Sequence, residues 1–161
     1  MKQTLYDLDF NLWIEDHIKK LKNHRFSELD IEQLIEELKD LGKSEKNALE
    51  SNLMILLAYL LKLTVQAHAP ETMKKSWYSS VDEHRKRINK QLSKTPSLKS
   101  YLPKILEEAY RDGRDLAIKE GKRASSGIRI PDESEYPQVC PFDNEQILDA
   151  EFYSLIIEPG V

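Results

Sequence analysis

Three features of this 161-residue chain predict an all-α fold. Apolar residues recur at helical spacing over most of its length. Glycine is scarce, at 5 residues, and charged residues make up 32%, enough to clothe the outer faces of several helices. The densest apolar stretch, 29–66, is the one the rest must pack around. Within it Ile31, Leu34, Ile35, Leu38 and Leu41 lie on one helical stripe, with Asp30 as N-cap and Gly42 as a C-terminal breaker. From Leu53 to Leu61 every residue is apolar or Tyr, which predicts a central helix buried on all sides. Ser44 is placed to cap it, so two helices flanking Gly42 are preferred over one long helix weakened there. The run is far shorter than the roughly 20 residues of a bilayer span, and Lys62 closes it, so a core helix is expected and no membrane partner.

The length suits a single helical domain over 1–161, with a helical body at 1–130 and an acidic, proline-containing arm at 131–161. The N-terminus has no basic region followed by an apolar one, and cytoplasm is the expected location. One cysteine, Cys140, excludes an internal disulfide framework and a multi-cysteine zinc site. The net charge of −4 conceals a segregation: residues 1–73 sum to −4, 74–130 to +8 and 131–161 to −8. Either the arm neutralises the basic middle within the fold, or the middle meets an external polyanion. Tethering favours the first reading, leaving nucleic acid as a less favoured partner of 74–130.

The first helix is expected over 7–24, with Tyr6, Phe10, Trp13, His17, Leu21 and His24 on one aromatic-rich face. His17 reads as a core histidine satisfied by hydrogen bonding. Glu32, Glu36, Glu37, Asp40 and Glu45 read as a solvated face of the next two helices. Pro70 ends the central helix and leaves His68 in a loop. A fourth helix is expected over 75–94, with Trp77, Val81, His84, Ile88 and Leu92 inward and Lys86, Arg87, Lys90 and Lys94 outward. No aromatics interleave with those cations, so the face is not a base-stacking platform. Thr95 and Pro96 start a fifth helix whose inner stripe is Leu98, Leu102, Ile105, Ala109 and Leu116, with Pro103 splitting or kinking its beginning. Gly121 and the cluster Ser125, Ser126, Gly127 end the helical body. In the arm, Asp143 or Asn144 caps a short helix through Gln146, Ile147 and Leu148.

The chain contains no Glu-x-x-His, no His-Glu-x-x-His, no phosphate-binding glycine loop and no Arg with His four to six residues on. No cofactor is expected and no catalytic residue is assigned. Cys140 reads as a small buried hydrophobe pinning the arm, with an activated thiol as the functional alternative. His17, Tyr59 and His84 interrupt apolar faces, and at least two of them are expected to meet as a buried polar cluster, since each needs a hydrogen-bond partner.

Taken together, Tyr-Asp-Leu-Asp-Phe at 6–10 with Trp13, LIEELKDLGKSE at 34–45, ALES at 48–51, Ser76-Trp77, TPSL at 95–98, Glu108-Ala109-Tyr110, Cys140-Pro141-Phe142 and QILD at 146–149 resemble the bacterial domain-of-unknown-function family twenty-nine. The resemblance spans essentially the whole chain. It implies a helical bundle with no established activity, substrate or cofactor. The family pattern commonly has Gln at the positions of His17 and His84, and a His–Trp pair four apart where this chain has Tyr59 and Leu63. The polar residues matching the family, Asp7, Asp9, Glu36, Glu37, Asp40, Lys43 and Ser44, are the candidate polar site. The leading expectation is a non-enzymatic helical interaction protein that binds an unknown protein or itself. The alternative is a phosphodiester-cleaving enzyme holding a divalent metal on Asp7, Asp9, Glu36 and Glu37.

Overall fold

The computed structural model describes residues 2–123 and 128–155, and among these every regular element is helical. The order is α1 Leu5–Leu8, α2 Phe10–Lys22, α3 Ile31–Val65, α4 Glu71–Lys94, α5 Leu102–Lys122 and α6 Asn144–Leu148, with 3-10 turns at Phe26–Glu28, Pro96–Ser100 and Glu133–Glu135. The chain divides into two compact units, Met1–Lys43 and Ser44–Val161. The first part of α3 belongs to the first unit and the remainder to the second. Ser125, Ser126 and Gly127 lie outside the described residues.

Two boundaries differ from the sequence reading. Residues 31–65 form one helix, not two: Gly42 is helical and Ser44 caps nothing. A glycine in a helix interior costs only about 1 kcal/mol relative to alanine, which the strong helix formers around it outweigh. Conversely, the expected first helix is two. Asp9 is extended at φ −155° and its carboxylate accepts from Leu12 N–H at 3.0 Å, ending α1 and capping α2. Asp7 closes a capping box with Thr4. Two further starts shift: α4 begins at Glu71, directly after Pro70, and the start expected at Thr95 and Pro96 is a separate 3-10 turn to which Thr95 gives no side-chain cap, α5 beginning only at Leu102. Asp143 caps α6 as expected, with Gln146 as its reciprocal partner.

In the second unit, Leu49, Leu53, Leu56, Leu57, Leu60 and Leu61 of α3 are fully enclosed. By length and composition alone α3 could cross a membrane, yet more than half of its most apolar window is buried within the protein. Trp77, Val81, Ile88 and Leu92 of α4 and Ile105, Ala109 and Ala117 of α5 supply the facing core. Helices α3 and α5 meet at Gly113, where a Cβ would stand 2.7 Å from the Met54 carbonyl. Lys62 is 6% exposed and pairs with Glu120 at 2.5 Å, its ammonium also lying over the Tyr59 and Trp77 rings. Lys62, which closes the apolar run in sequence, is itself buried: its long stem is covered and the charge is met by a carboxylate and two ring faces.

The arm joins this core through Tyr136, Phe142 and Ile147, all buried. Its backbone carbonyls, more than its carboxylates, receive the basic middle. Arg85, 2% exposed, donates from Nε to Ile147 O at 2.8 Å, and Arg114 donates to the carbonyls of Tyr136 and Glu133. Lys122–Glu133 and Arg129–Glu135 are the ion pairs made by arm carboxylates among the described residues, and they are exposed. Helix α5 ends at Lys122, one residue past Gly121, and the Tyr136 hydroxyl occupies the space beside that glycine, 2.9 Å from where a Cβ would be.

These contacts set the two helical glycines apart. Gly113→Ala should destabilise by about 1–3 kcal/mol, because the new methyl overpacks a backbone contact. Gly42→Ala, with nothing within 4 Å of its would-be Cβ, should stabilise by about 0.5–1 kcal/mol. Urea unfolding followed by circular dichroism reads both, and equal effects at the two positions would contradict the geometry.

Candidate functional site

The first unit is a helical hairpin whose inner seam is aromatic. Tyr6 stands edge-on to Phe10 and Trp13, Phe10 stacks with Trp13, and Trp13 stacks with His17 at 4.2 Å between ring centres. His17 Nδ1 lies 3.0 Å from the Trp13 carbonyl, and its Nε2 accepts the Asp30 N–H at 3.1 Å, tying α2 to the start of α3. Both contacts are satisfied together by the ring with its proton on Nδ1. His24 leaves the expected face. It adopts the left-handed conformation at φ 55°, and the following Arg25 N–H bonds back to the Lys20 carbonyl, closing the C-terminus of α2 in a Schellman turn.

Between α2 and α3 this unit holds a groove of 360 Å³. Phe10, Trp13, Ile14 and His17 line one wall, with Ile18 and Leu21 beyond them; Leu34, Leu38 and Leu41 line the other, with Glu37 as the one carboxylate. Leu38 and Leu41 are 66% and 64% exposed. The stripe that the sequence placed on one helical face is on one face, but it is open to solvent and not part of a sealed core. Of the thirteen large apolar side chains exposed among the described residues, eleven lie between Leu5 and Leu41.

The candidate polar residues do not assemble into one site. Asp7 and Asp9 serve as caps, and the bond from the Thr4 hydroxyl holds Asp7 below the usual carboxylate range. Glu36 pairs with Lys39, which lowers it as well. Glu37 accepts from the Tyr6 hydroxyl at 2.5 Å, and that bond pushes the Tyr6 phenol up. Asp40, Lys43 and Ser44 are exposed on α3. Among the described residues no three His, Cys, Asp or Glu side chains converge as a metal site would require.

The three residues of the expected polar cluster find their partners elsewhere. His84 is half-buried with Nδ1 2.8 Å from the Ser80 carbonyl, one turn back on its own helix. Tyr59 lies beside Lys62 and Glu120, and burial first, then the Glu120 charge, raises its phenol. No hydrogen bond joins Tyr59 to His84 among the described residues. The buried polar groups that sequence reasoning missed are Lys62, Thr64, Gln66 and Arg85. Nothing in the local pattern at or just after the helices marks them, and only the tertiary partner distinguishes each: Glu120 for Lys62, the Leu155 N–H for Thr64, Tyr136 for Gln66 and the Ile147 carbonyl for Arg85.

A second groove, of 530 Å³, lies in the second unit between α5 and the arm, lined by Leu106, Tyr110, Arg114, Val139 and Cys140. Burial pushes the Cys140 thiol up, the opposite of an activated thiolate, and it donates to the Phe142 carbonyl at 3.4 Å.

Among the described residues every regular element of the hairpin and of the second unit is helical, and the contacts described are capping, pairing and apolar ones, so the class is that of a small all-α protein. Within that class, the model of the family "Domain of unknown function DUF29" matches residues 5–153, and the chain belongs to that family. No curated protein and no solved structure matches it.

Tyr110 gives the arm a pH dependence. Its hydroxyl donates to the Pro137 carbonyl at 2.5 Å, and burial pushes its pKa up to about 12, from 10.0. Raised in the folded state, the neutral phenol stabilises the arm fully below pH 10, and that contribution is lost as pH rises toward about 12. Tyr110→Phe should cost about 1 kcal/mol at neutral pH and flatten the loss of stability between pH 10 and 12. Unfolding midpoints measured across that range check it, and an unchanged alkaline slope would contradict it.

Proposed function

We propose that this chain is a non-enzymatic helical interaction protein of the cytoplasm, and that the open groove of its N-terminal hairpin receives the apolar face of an amphipathic helix from a protein partner. The observation that carries the reading is the concentration of exposed apolar side chains between Leu5 and Leu41, against two elsewhere among the described residues. Scattered single exposures are ordinary, whereas a contiguous apolar groove rimmed by charge is a surface for association. Leu34, Leu38 and Leu41 repeat at the spacing that meets the i, i+3, i+4, i+7 anchors of an incoming helix.

The separate engagement of Asp7, Asp9, Glu36 and Glu37 supports a binding role over the metal-dependent alternative, and the upward-shifted Cys140 thiol disfavours a thiolate nucleophile. Capping and pairing account for Asp7, Asp9 and Glu36 without a substrate.

A photo-crosslinking benzoylphenylalanine at Leu38, in cells, tests the reading. The expected adduct maps to the apolar stripe of a helix in another polypeptide chain and is lost when Ile18→Glu is added. Because both positions are exposed, these changes should move folding stability by no more than about 0.5 kcal/mol. Adducts confined to residues 44–161 of the same chain, or no polypeptide adduct, would overturn it.

A further inference from the structure

We infer that the occupant of the groove is the same groove of a second copy, so that two N-terminal hairpins close into a four-helix bundle about a two-fold axis. The inference rests on the docking reading above and names its partner.

The spacing is the first support. On α2, Phe10, Ile14, His17 and Leu21 step by four, three and four; on α3, Ile31, Leu34, Leu38 and Leu41 step by three, four and three. That alternation is the seam of knobs-into-holes packing, and each hairpin supplies two of the four helices such a bundle needs. The lengths match: α2 has 13 residues, and α3 enters the first unit over 31–43. His17 sits in this seam without obstructing it. Both ring nitrogens are already engaged, by Trp13 and Asp30, so covering them with apolar side chains orphans no polar group.

Charge is the second support, and it selects a second copy over an unrelated helix. Residues 17–25 hold Lys19, Lys20, Lys22 and Arg25 and no acid, a net +4. Residues 30–40 hold Asp30, Glu32, Glu36, Glu37 and Asp40 against Lys39, a net −4. Lys19 and Lys22 on one helix and Glu32 and Asp40 on the other make no ion pair among the described residues, whereas Lys20, Arg25 and Glu36 are paired locally. A two-fold axis that lays α2 of one copy against α3 of the other brings the cationic segment to the anionic one twice. Such a contact is isologous and closes at two chains.

Sedimentation equilibrium of the purified full chain is the test. The wild type should sediment at twice the 18.8 kDa chain mass. Ile18→Glu with Leu38→Glu should sediment at one chain mass with its helical circular dichroism and cooperative melting retained. Lys19→Glu with Lys22→Glu, and separately Glu32→Lys with Asp40→Lys, should each weaken self-association on the order of tenfold or more, and an equimolar mixture of the two should restore a two-chain species. A wild type of one chain mass at concentrations on the order of 100 μM overturns the inference. So does a dimer indifferent to Ile18 and Leu38, or a mixture that fails to re-pair. If the wild type is monomeric while Leu38 adducts in cells fall on a foreign helix, the second copy is wrong and the docking reading stands; if it is monomeric and no such adduct forms, both fall.

Discussion

A helix that is apolar around its whole circumference persists in water only when other elements enclose it, and the second half of α3 imposes that condition on the second unit. Fully burying each of its leucines is worth about 1.5–3 kcal/mol relative to exposure. The helices that answer it are shaped by the contact. Gly113 lets α5 come against the backbone of α3 where any side chain would collide, and Trp77 of α4 spreads over the Lys62 ammonium. The Lys62–Glu120 pair is best understood as what makes a long cationic side chain tolerable at that position. A well-packed apolar pair of similar size would serve stability as well, since desolvating two charges offsets much of their attraction.

The arm shows which forces win when charge and burial compete. Its net charge is opposite to that of residues 74–130, yet the described contacts are led by Tyr136, Phe142 and Ile147 and by arginines donating to main-chain carbonyls. Exposed carboxylate–ammonium pairs contribute little, about 0–1 kcal/mol, whereas burying aromatic and branched side chains contributes more. Arg85 makes the point most clearly. It is buried, it caps the last turn of α6 through Ile147 and Gln146, and its Nη1 is left without a partner among the described residues.

The two units use one pattern to opposite ends. In both, apolar residues recur at helical spacing on α3, but beyond Leu49 they are covered and before Gly42 they are open. Of the carboxylates around the open portion, Asp7, Asp9, Glu36 and Glu37 are engaged locally, on caps, on Lys39 and on the Tyr6 hydroxyl, whereas Glu32 and Asp40 make no ion pair among the described residues. What the first unit leaves open among its described residues is chiefly apolar surface, and apolar surface is satisfied by another apolar surface.

The sequence by itself determined the helical class, the central role of the 53–61 run, the caps at Asp30 and Asp143, the turn at Pro70 and the family, because these rest on local spacing, proline geometry and motif order. It misjudged Gly42 and Asp9, where a one-residue preference is weighed against the cooperativity of the whole helix. Periodicity told which face of residues 31–41 is apolar but not what covers it, since coverage depends on elements distant in sequence. The pairing of His17 with Asp30, of Lys62 with Glu120 and of Arg85 with Ile147 was decided only by the tertiary structure: a side chain's hydrogen-bond partner is a matter of position in space, and at separations of 13, 58 and 62 residues no local pattern encodes it.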